Sequence, residues 1–290
     1  MKKNLAASVR VRLLALAKLQ GADFNQILLR FALERMLYRM SISAHADQFL
    51  LKGALLFALW YDMPHRPTRD ADLLGFGPSD LESIADSFRD IASVQVEDGI
   101  HFDPASIMVG EIRKAAGYAG ARVLIDGELA GARCKTQIDI GFGDAVTPAA
   151  IEAAYPVLLD DFPAPQLRIY PVYSVVAEKL HAIVLLGMTN TRLKDYFDLS
   201  IVLDRETLDM HTLASAIAAT FKRREMAVPL QLPIGLSDEF ADDFSRQALW
   251  QAFLRKNGLP IVPLPDVVLA IRHSLMSALG LAISDLTHKS

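Results

Sequence analysis

The spacing of apolar positions changes twice along the chain. Over residues 5–19 and 23–40 it is helical, the second run reading Phe24, Ile27, Leu28, Phe31 and Leu37 around charged Arg30, Glu34 and Arg35, which predicts two opening helices. The stretch DQFLLKGALLFALWYD, beginning at Asp47, is apolar nearly all round behind a cap at Asp47 or nearby. It predicts one central buried element running into a short loop at Pro64–Pro67. Ser79 followed three positions on by Glu82 is a capping-box signature, and Leu81, Ile84, Ala85 and Phe88 supply the stripe of a crossover helix. From 107 to 142 the pattern becomes extended, in three runs broken at Gly117, Gly120, Gly127 and Gly131, as in a strand meander. Pro148, Pro156, Pro163, Pro165 and Pro171 exclude a long helix from their stretch and mark a lobe boundary. Helical spacing returns at 174–187, 192–204, 210–222, 237–255 and 266–283. Two domains are therefore expected, 1–165 and a helical lobe at 166–290.

Composition narrows the function classes. Of 290 residues, 52% are apolar, enough for a sizeable core in each lobe. The formal net charge is −4 and the pI near 6.0, so nucleic acid could be met only through a local basic patch. Lys222-Arg223-Arg224 is the densest candidate and Arg192 with Lys194 another; the plain alternative for both is solvated surface. The single cysteine, Cys134, allows no internal disulfide and no cysteine pair for zinc, which suits a reducing cytoplasm. Near the start, Arg10, Arg12 and Lys18 interrupt any signal-like apolar run. The longest apolar segment is read as Ala54–Tyr61, well short of the ~20 residues of a membrane span. A cytoplasmic chain without a membrane partner is expected.

Candidate chemistry centres on HRPTRDADLLGF, residues 65–76. In a strand, Asp70 and Asp72 project to one side about 7 Å apart. Hard oxygen donors at that spacing suit Mg2+, which takes one or two carboxylates and completes its shell with water and phosphate; a solvated turn is the plain alternative. In KTQIDIGF, Ile138, Ile140 and Phe142 form an apolar face, and Lys135, Gln137 and Asp139 the opposite one. Should that strand lie beside the first, three carboxylates converge as two-metal phosphoryl transfer requires. Ser174 is read as the cap of a helix that carries Lys179 at the edge of its buried stripe, either as a snorkelling stem or as a point charge for a triphosphate. His181 is read as a surface histidine. Asp195 and Asp198 share a helix face: one orients Lys179, or Asp198 pairs with Arg192 or Lys194.

Taken in order, FLLKGALLFALWYDMPHRPTRDADLLGF, TQIDIGFGD and VVAEKLHAIVLLGMTNTRLKDYFDLSIVL resemble the AbiEii-type nucleotidyltransferase toxins, a branch of the polymerase-beta-like nucleotidyltransferases that includes the MenT toxins. The resemblance covers about 47–204. It implies an α+β fold, a mixed sheet with flanking helices followed by a C-terminal helical lobe that completes the active site. It implies Mg2+ and nucleotide phosphates at Asp70 and Asp72, with Thr68 at the hydroxyl position. Asp139 falls at the third carboxylate, as metal ligand or activator of the attacking hydroxyl. Lys179 would contact the nucleotide, Asp195 is the matching Asp of the KDYFDL segment, and Lys52, Gly53, Thr68 and Arg69 would line the substrate. Family members carry Gly-Gly-Ser or Gly-Gly-Thr after the lysine, where this chain reads Lys52-Gly53-Ala54-Leu55, so its phosphate cradle is incomplete.

The implied activity is transfer of a nucleoside monophosphate from an NTP to RNA, such as a tRNA 3′ end, by the toxin of a toxin–antitoxin or phage-defence pair with a cognate antitoxin. Two rivals stay open. A glycosyltransferase also uses D-x-D, but requires a nucleotide-binding half before the motif, where only helices are expected. A catalytically degenerate relative would act by binding a partner protein.

Overall fold

A computed structural model describes residues 5–61, 68–113 and 119–287; the loop at Pro64–Pro67 and the break at Gly117 lie outside them. The chain forms two compact units, one running to Gly143 and resuming over Ile151–Ile169, the other made of Asp144–Ala150 and the chain from Tyr170 onward.

The first unit is built on an eight-stranded mixed sheet. Its strands are β1 (Phe49–Lys52), β2 (Asp70–Gly75), β3 (Ile100–Phe102), β4 (Met108–Arg113), β5 (Ala119–Leu129), β6 (Ala132–Phe142), β7 (Ile151–Ala154) and β8 (Gln166–Ile169). The order is β3-β5-β6-β2-β1-β8-β7, with β4 also paired to β5. β2 runs antiparallel to β1 and parallel to β6, and β5–β6 is a long antiparallel hairpin. The expected meander is this hairpin with β4 beside it. Helices α1 (Leu5–Gln20), α2 (Phe24–Ser41) and α4 (Leu81–Ser93) pack on one another and on the sheet. Leu73, Ile138 and Ile140 are fully or almost fully buried in its core.

Three expectations change here. Residues 47–62 are not one element: a 3-10 turn at Ala46–Gln48 leads into β1, a turn at Gly53 and a short helix α3 (Leu55–Tyr61). β1 lies between β2 and β8 with all four residues buried. A strand covered on both faces reads as a continuous apolar run, which periodicity cannot separate from a buried helix. So it is not true that only helices precede Asp70. The cap of α4 is Asp80, whose carboxylate accepts from the Ser83 N–H at 2.9 Å, one position after Ser79. Finally, Glu34 and Arg35 lie inside the unit. Arg35 pairs with Glu34 at 3.0 Å and donates to the Pro163 carbonyl, while Glu34 accepts from the Leu158 N–H at 2.7 Å. These bonds tie the proline-rich segment before β8 to α2.

A second enclosed ion pair joins α2 to the sheet. Arg39 donates through both terminal nitrogens to Asp98, at 2.7 and 3.1 Å, and also to the Ile100 carbonyl. Asp98 is fully buried.

The second unit is helical: α5 (Val172–Leu186), α6 (Leu193–Arg205), α7 (Met210–Arg223), α8 (Asp238–Ala241), α9 (Phe244–Lys256) and α10 (Leu264–Thr287). The run expected at 237–255 is two helices, because Asp243 caps α9 by accepting from the Arg246 N–H. Ser174 does not cap α5, whose cap position is Pro171. Its buried hydroxyl instead donates to the Thr147 carbonyl and accepts the Thr147 N–H, fastening 144–150 to this unit. The short apolar run Ala54–Tyr61 does not set the limit on membrane-spanning length. Val172–Thr189 and Leu264–Ser284 are long and apolar enough to cross a membrane by length and composition alone, a test that the core helix of a soluble protein also passes.

Removing the Arg39 guanidinium strands a buried carboxylate. Arg39→Met is expected to destabilise the first unit by about 3–5 kcal/mol, read as a lowered urea midpoint, with Asp98→Asn restoring part of the loss in the double variant.

Candidate active site

β2 and β6 are registered so that Asp70 lies beside Gln137 and Asp72 beside Asp139. Neighbours in register on parallel strands face the same way, so the three aspartates share one face, opposite Ala71, Ile138 and Ile140. Thr68, just before β2, donates to Asp70 Oδ1 at 3.0 Å. Gln137 Nε2 lies 3.4 Å from Asp70 Oδ2 and 3.3 Å from Asp139 Oδ1, bridging the two carboxylates.

Sequence reasoning overlooked the group that completes this face. Arg122 on β5 is the register partner of Asp139, and its guanidinium closes both carboxylate oxygens, Nε to Oδ1 and Nη2 to Oδ2, each at 2.8 Å. This is the two-pronged geometry in which an arginine–carboxylate pair is strongest. The hydrogen bond to Asp139 raises the Arg122 pKa against the opposing effect of burial, and the charges of Asp139, Asp70 and Asp72 raise it further.

The turn after β1 presses on the same carboxylates. Lys52 is buried and in register with Asp72. Gly53 has φ +77°, and a Cβ there would fall 2.2 Å from Asp72 Oδ2. Only glycine gives both that backbone and that approach. Arg69 is exposed immediately before the strand. Thr68, Asp70, Asp72 and Asp139, with the Gly53 turn, are thus brought together in the first unit. Among the described residues, however, no three Asp, Glu, His or Cys side chains are grouped to hold a metal ion, and Arg122 occupies Asp139. The donor set that fits Mg2+ is Asp70 and Asp72, two hard oxygen ligands that leave the other positions to water and phosphate.

The other expected residues lie in the second unit. Lys179, its side chain 13% exposed, donates to Asp195 Oδ1 at 2.9 Å and to Asp198 Oδ2 at 2.8 Å, and Arg192 Nε lies 2.7 Å from Asp195 Oδ2. Asp198 therefore pairs with Lys179. Burial opposes the Lys179 charge, but Asp195 and Asp198 outweigh it and leave the pKa raised. Burial likewise opposes the Asp195 charge, and Lys179 and Arg192 outweigh it and leave that pKa lowered.

His181 is not at the surface. It is 1% exposed because α5 packs against both α6 and α7, leaving little of it polar-facing. Its ring meets Phe221 edge-on at 5.0 Å, and burial, then the Arg224 charge, push its pKa down to about 4. Arg224 also departs from the basic-cluster reading: it turns inward to Asp144 at 3.0 Å and Glu178 at 3.4 Å, leaving Lys222 and Arg223 exposed. In the first unit, burial pushes the Cys134 thiol up to about 11, so it stays protonated and unreactive near neutral pH.

Comparison with known proteins bears on this arrangement. The family model described as "Nucleotidyl transferase AbiEii toxin, Type IV TA system" matches residues 35–269. No curated protein matches the chain. Among solved structures, JHP933 from Helicobacter pylori is similar at a TM-score of 0.51 and 13% identity, over 91% of this chain and 95% of that one. A second H. pylori protein, provisionally named a nucleotidyltransferase, gives 0.48 at 15% identity, over 90% and 94%.

Two outcomes follow from the local geometry. Gly53→Ala forces a side chain into a left-handed position, costing about 1–2 kcal/mol, and collides with Asp72. A lowered melting temperature is expected, and unchanged stability would show that the turn relaxes freely. For the buried ions the signs are opposite. The Asp195 contribution is present above its unfolded value of 3.8 and lost as pH falls through its lower folded value. The Lys179 contribution is complete below 10.5 and lost as pH rises through its higher folded value. Lys179→Met should therefore lower the melting temperature most between those limits, by an amount equivalent to about 3–5 kcal/mol, in melts across the pH range.

Proposed function

Because the chain belongs to the AbiEii nucleotidyltransferase toxin family of type IV toxin–antitoxin systems, we propose that it is a Mg2+-dependent enzyme. It transfers a nucleoside monophosphate from an NTP to the hydroxyl of an RNA acceptor such as a tRNA 3′ end. The acceptor oxygen bonds to the α-phosphorus, the bond from the α-phosphorus to the bridging oxygen breaks, pyrophosphate leaves with that oxygen, and the hydroxyl proton passes to solvent water. The observation that carries the reading is the common face of Asp70 and Asp72, directed by Thr68 and pressed by the Gly53 turn. Mg2+ bound by those two carboxylates supplies Lewis-acid charge to the phosphate oxygens.

The remaining residues prepare that face. Thr68 fixes the rotamer of Asp70 by hydrogen bond, which makes it a positioning group for the ligand. Gln137 separates Asp70 from Asp139 without adding charge. Arg122 offsets the excess of carboxylates and is 42% exposed, so its outer edge is open to solvent on the face where phosphates would lie. Lys179 and Asp195, tied to one another and to Asp198 and Arg192, hold the second unit together, and no transfer step is assigned to them. Exposed Lys222 and Arg223 are the cations suited to an RNA backbone. A cognate antitoxin and a cytoplasmic setting, in toxin–antitoxin or phage-defence systems, complete the reading.

One observation favours a catalytically silent relative. Ala54 and Leu55 stand where family members carry Gly-Ser or Gly-Thr, and their side chains limit how closely the backbone can approach a phosphate. Mg2+-dependent NTP binding separates the two readings. With labelled NTPs, Mg2+ and total RNA, the wild-type chain is expected to label RNA. Asp70→Asn should reduce transfer by roughly 100-fold or more, since losing a metal ligand costs about 3 kcal/mol of transition-state stabilisation. Absent transfer, or transfer indifferent to Asp70→Asn, would sink the assignment.

A further inference from the structure

We propose that Arg122 stands in place of a second divalent ion, holding Asp139 out of the metal shell so that the site takes one cation through Asp70 and Asp72 alone. The inference rests on the metal reading of that face given above and adds the stoichiometry and the residue that sets it.

The geometry is specific. Asp139 is well placed to be a ligand: it is the in-register neighbour of Asp72 on the adjacent strand. Yet both its oxygens are filled by the Arg122 fork at 2.8 Å, and Gln137 adds a third contact at 3.3 Å. A guanidinium cannot lose its charge at any ordinary pH and presents its donors in a fixed plane, so it meets both Asp139 oxygens at once at every working pH, which a lysine cannot do. The fork is also anchored, because Arg122 and Asp139 are held opposite one another by the backbone pairing of a long antiparallel hairpin. Arg122 feels Asp70 and Asp72 as well as its partner, so its fixed positive charge acts on all three carboxylates, beside that of Lys52 in register with Asp72.

Asp139 is then a positioning residue for Arg122. The test uses the full chain and Mn2+ alone, without nucleotide, with free Mn2+ followed by electron paramagnetic resonance. Arg122→Met should bind Mn2+ at least about tenfold tighter, because the number of charged ligands sets divalent affinity over decades. Arg122→Lys separates ligand release from loss of charge: it keeps the charge but can close only one oxygen, and should tighten binding severalfold. Asp70→Asn should weaken binding about tenfold or more, and Asp139→Asn less than about threefold. The double variant Arg122→Met with Asp139→Asn, which leaves no stranded charge and guards against a folding defect, should lose the gain. The inference is overturned if Asp139→Asn weakens binding as much as Asp70→Asn, if Arg122→Met gives no gain, or if only Met and not Lys tightens it. If Asp70→Asn leaves Mn2+ binding at the wild-type level, the metal reading itself fails and this inference with it. If Asp70→Asn weakens binding and Arg122→Met does not strengthen it, only the inference fails.

Discussion

Carboxylates on one face of a sheet repel, and their spacing is set by the backbone. Neighbouring strands lie ~4.8 Å apart, and two bare charges at that distance repel by about 3 kcal/mol at an effective dielectric near 20. Register places Asp72 beside Asp139, with Asp70 two residues away on the same side. Arg122, forked onto Asp139, and Lys52, in register with Asp72, set positive charge against this face in the folded chain.

The compensation is stable because it comes from the centre of the sheet. Four consecutive strands contribute: the Lys52-Gly53 turn ends β1, Asp70 and Asp72 open β2, Gln137 and Asp139 lie on β6, and Arg122 on β5. Each side chain is placed by a backbone ladder, which fixes position better than a loop would. The apolar half of each strand supplies the core that keeps the ladders together, and Arg39–Asp98 and Glu34–Arg35 join the covering helix to that core and to the segment before β8. Even the small Gly53 turn depends on this: it can touch Asp72 only because β1 and β2 are paired up to Lys52.

Much of this was legible as period. The two opening helices, the helices of the second unit and the strands around 107–142 follow from spacings of 3.6 and 2, and the alternation in KTQIDIGF places Asp139 opposite Ile138 and Ile140. β1 was not legible, since a strand buried on both faces has no period. Arg122 was not legible either, because alternation alone does not give partners. The register that pairs it with Asp139 is set by a two-residue turn in which Ala130 and Gly131 both have positive φ, whereas the residue pairs that announce such a turn are Asn-Gly, Asp-Gly or Gly-Gly. His181 was misread for another reason: a polar residue on a helix says nothing of how many neighbours the helix will have, and its burial is decided by packing on a second side.

The two units enclose their charged pairs to different degrees. Lys179 is enclosed with Asp195 and Asp198, so breaking the cluster strands ions in a dry interior and is costly. Arg122 pairs with Asp139 while its own side chain is 42% exposed and that of Asp139 only 11%, so water reaches the guanidinium more readily than the carboxylate, and opening the pair leaves the largely enclosed Asp139 charge uncompensated. What holds the Arg122 pair closed is its fork geometry and the paired hairpin beneath it. A lysine at 122 would keep the net charge and lose the two-pronged closure, because an ammonium meets one oxygen where the guanidinium meets two.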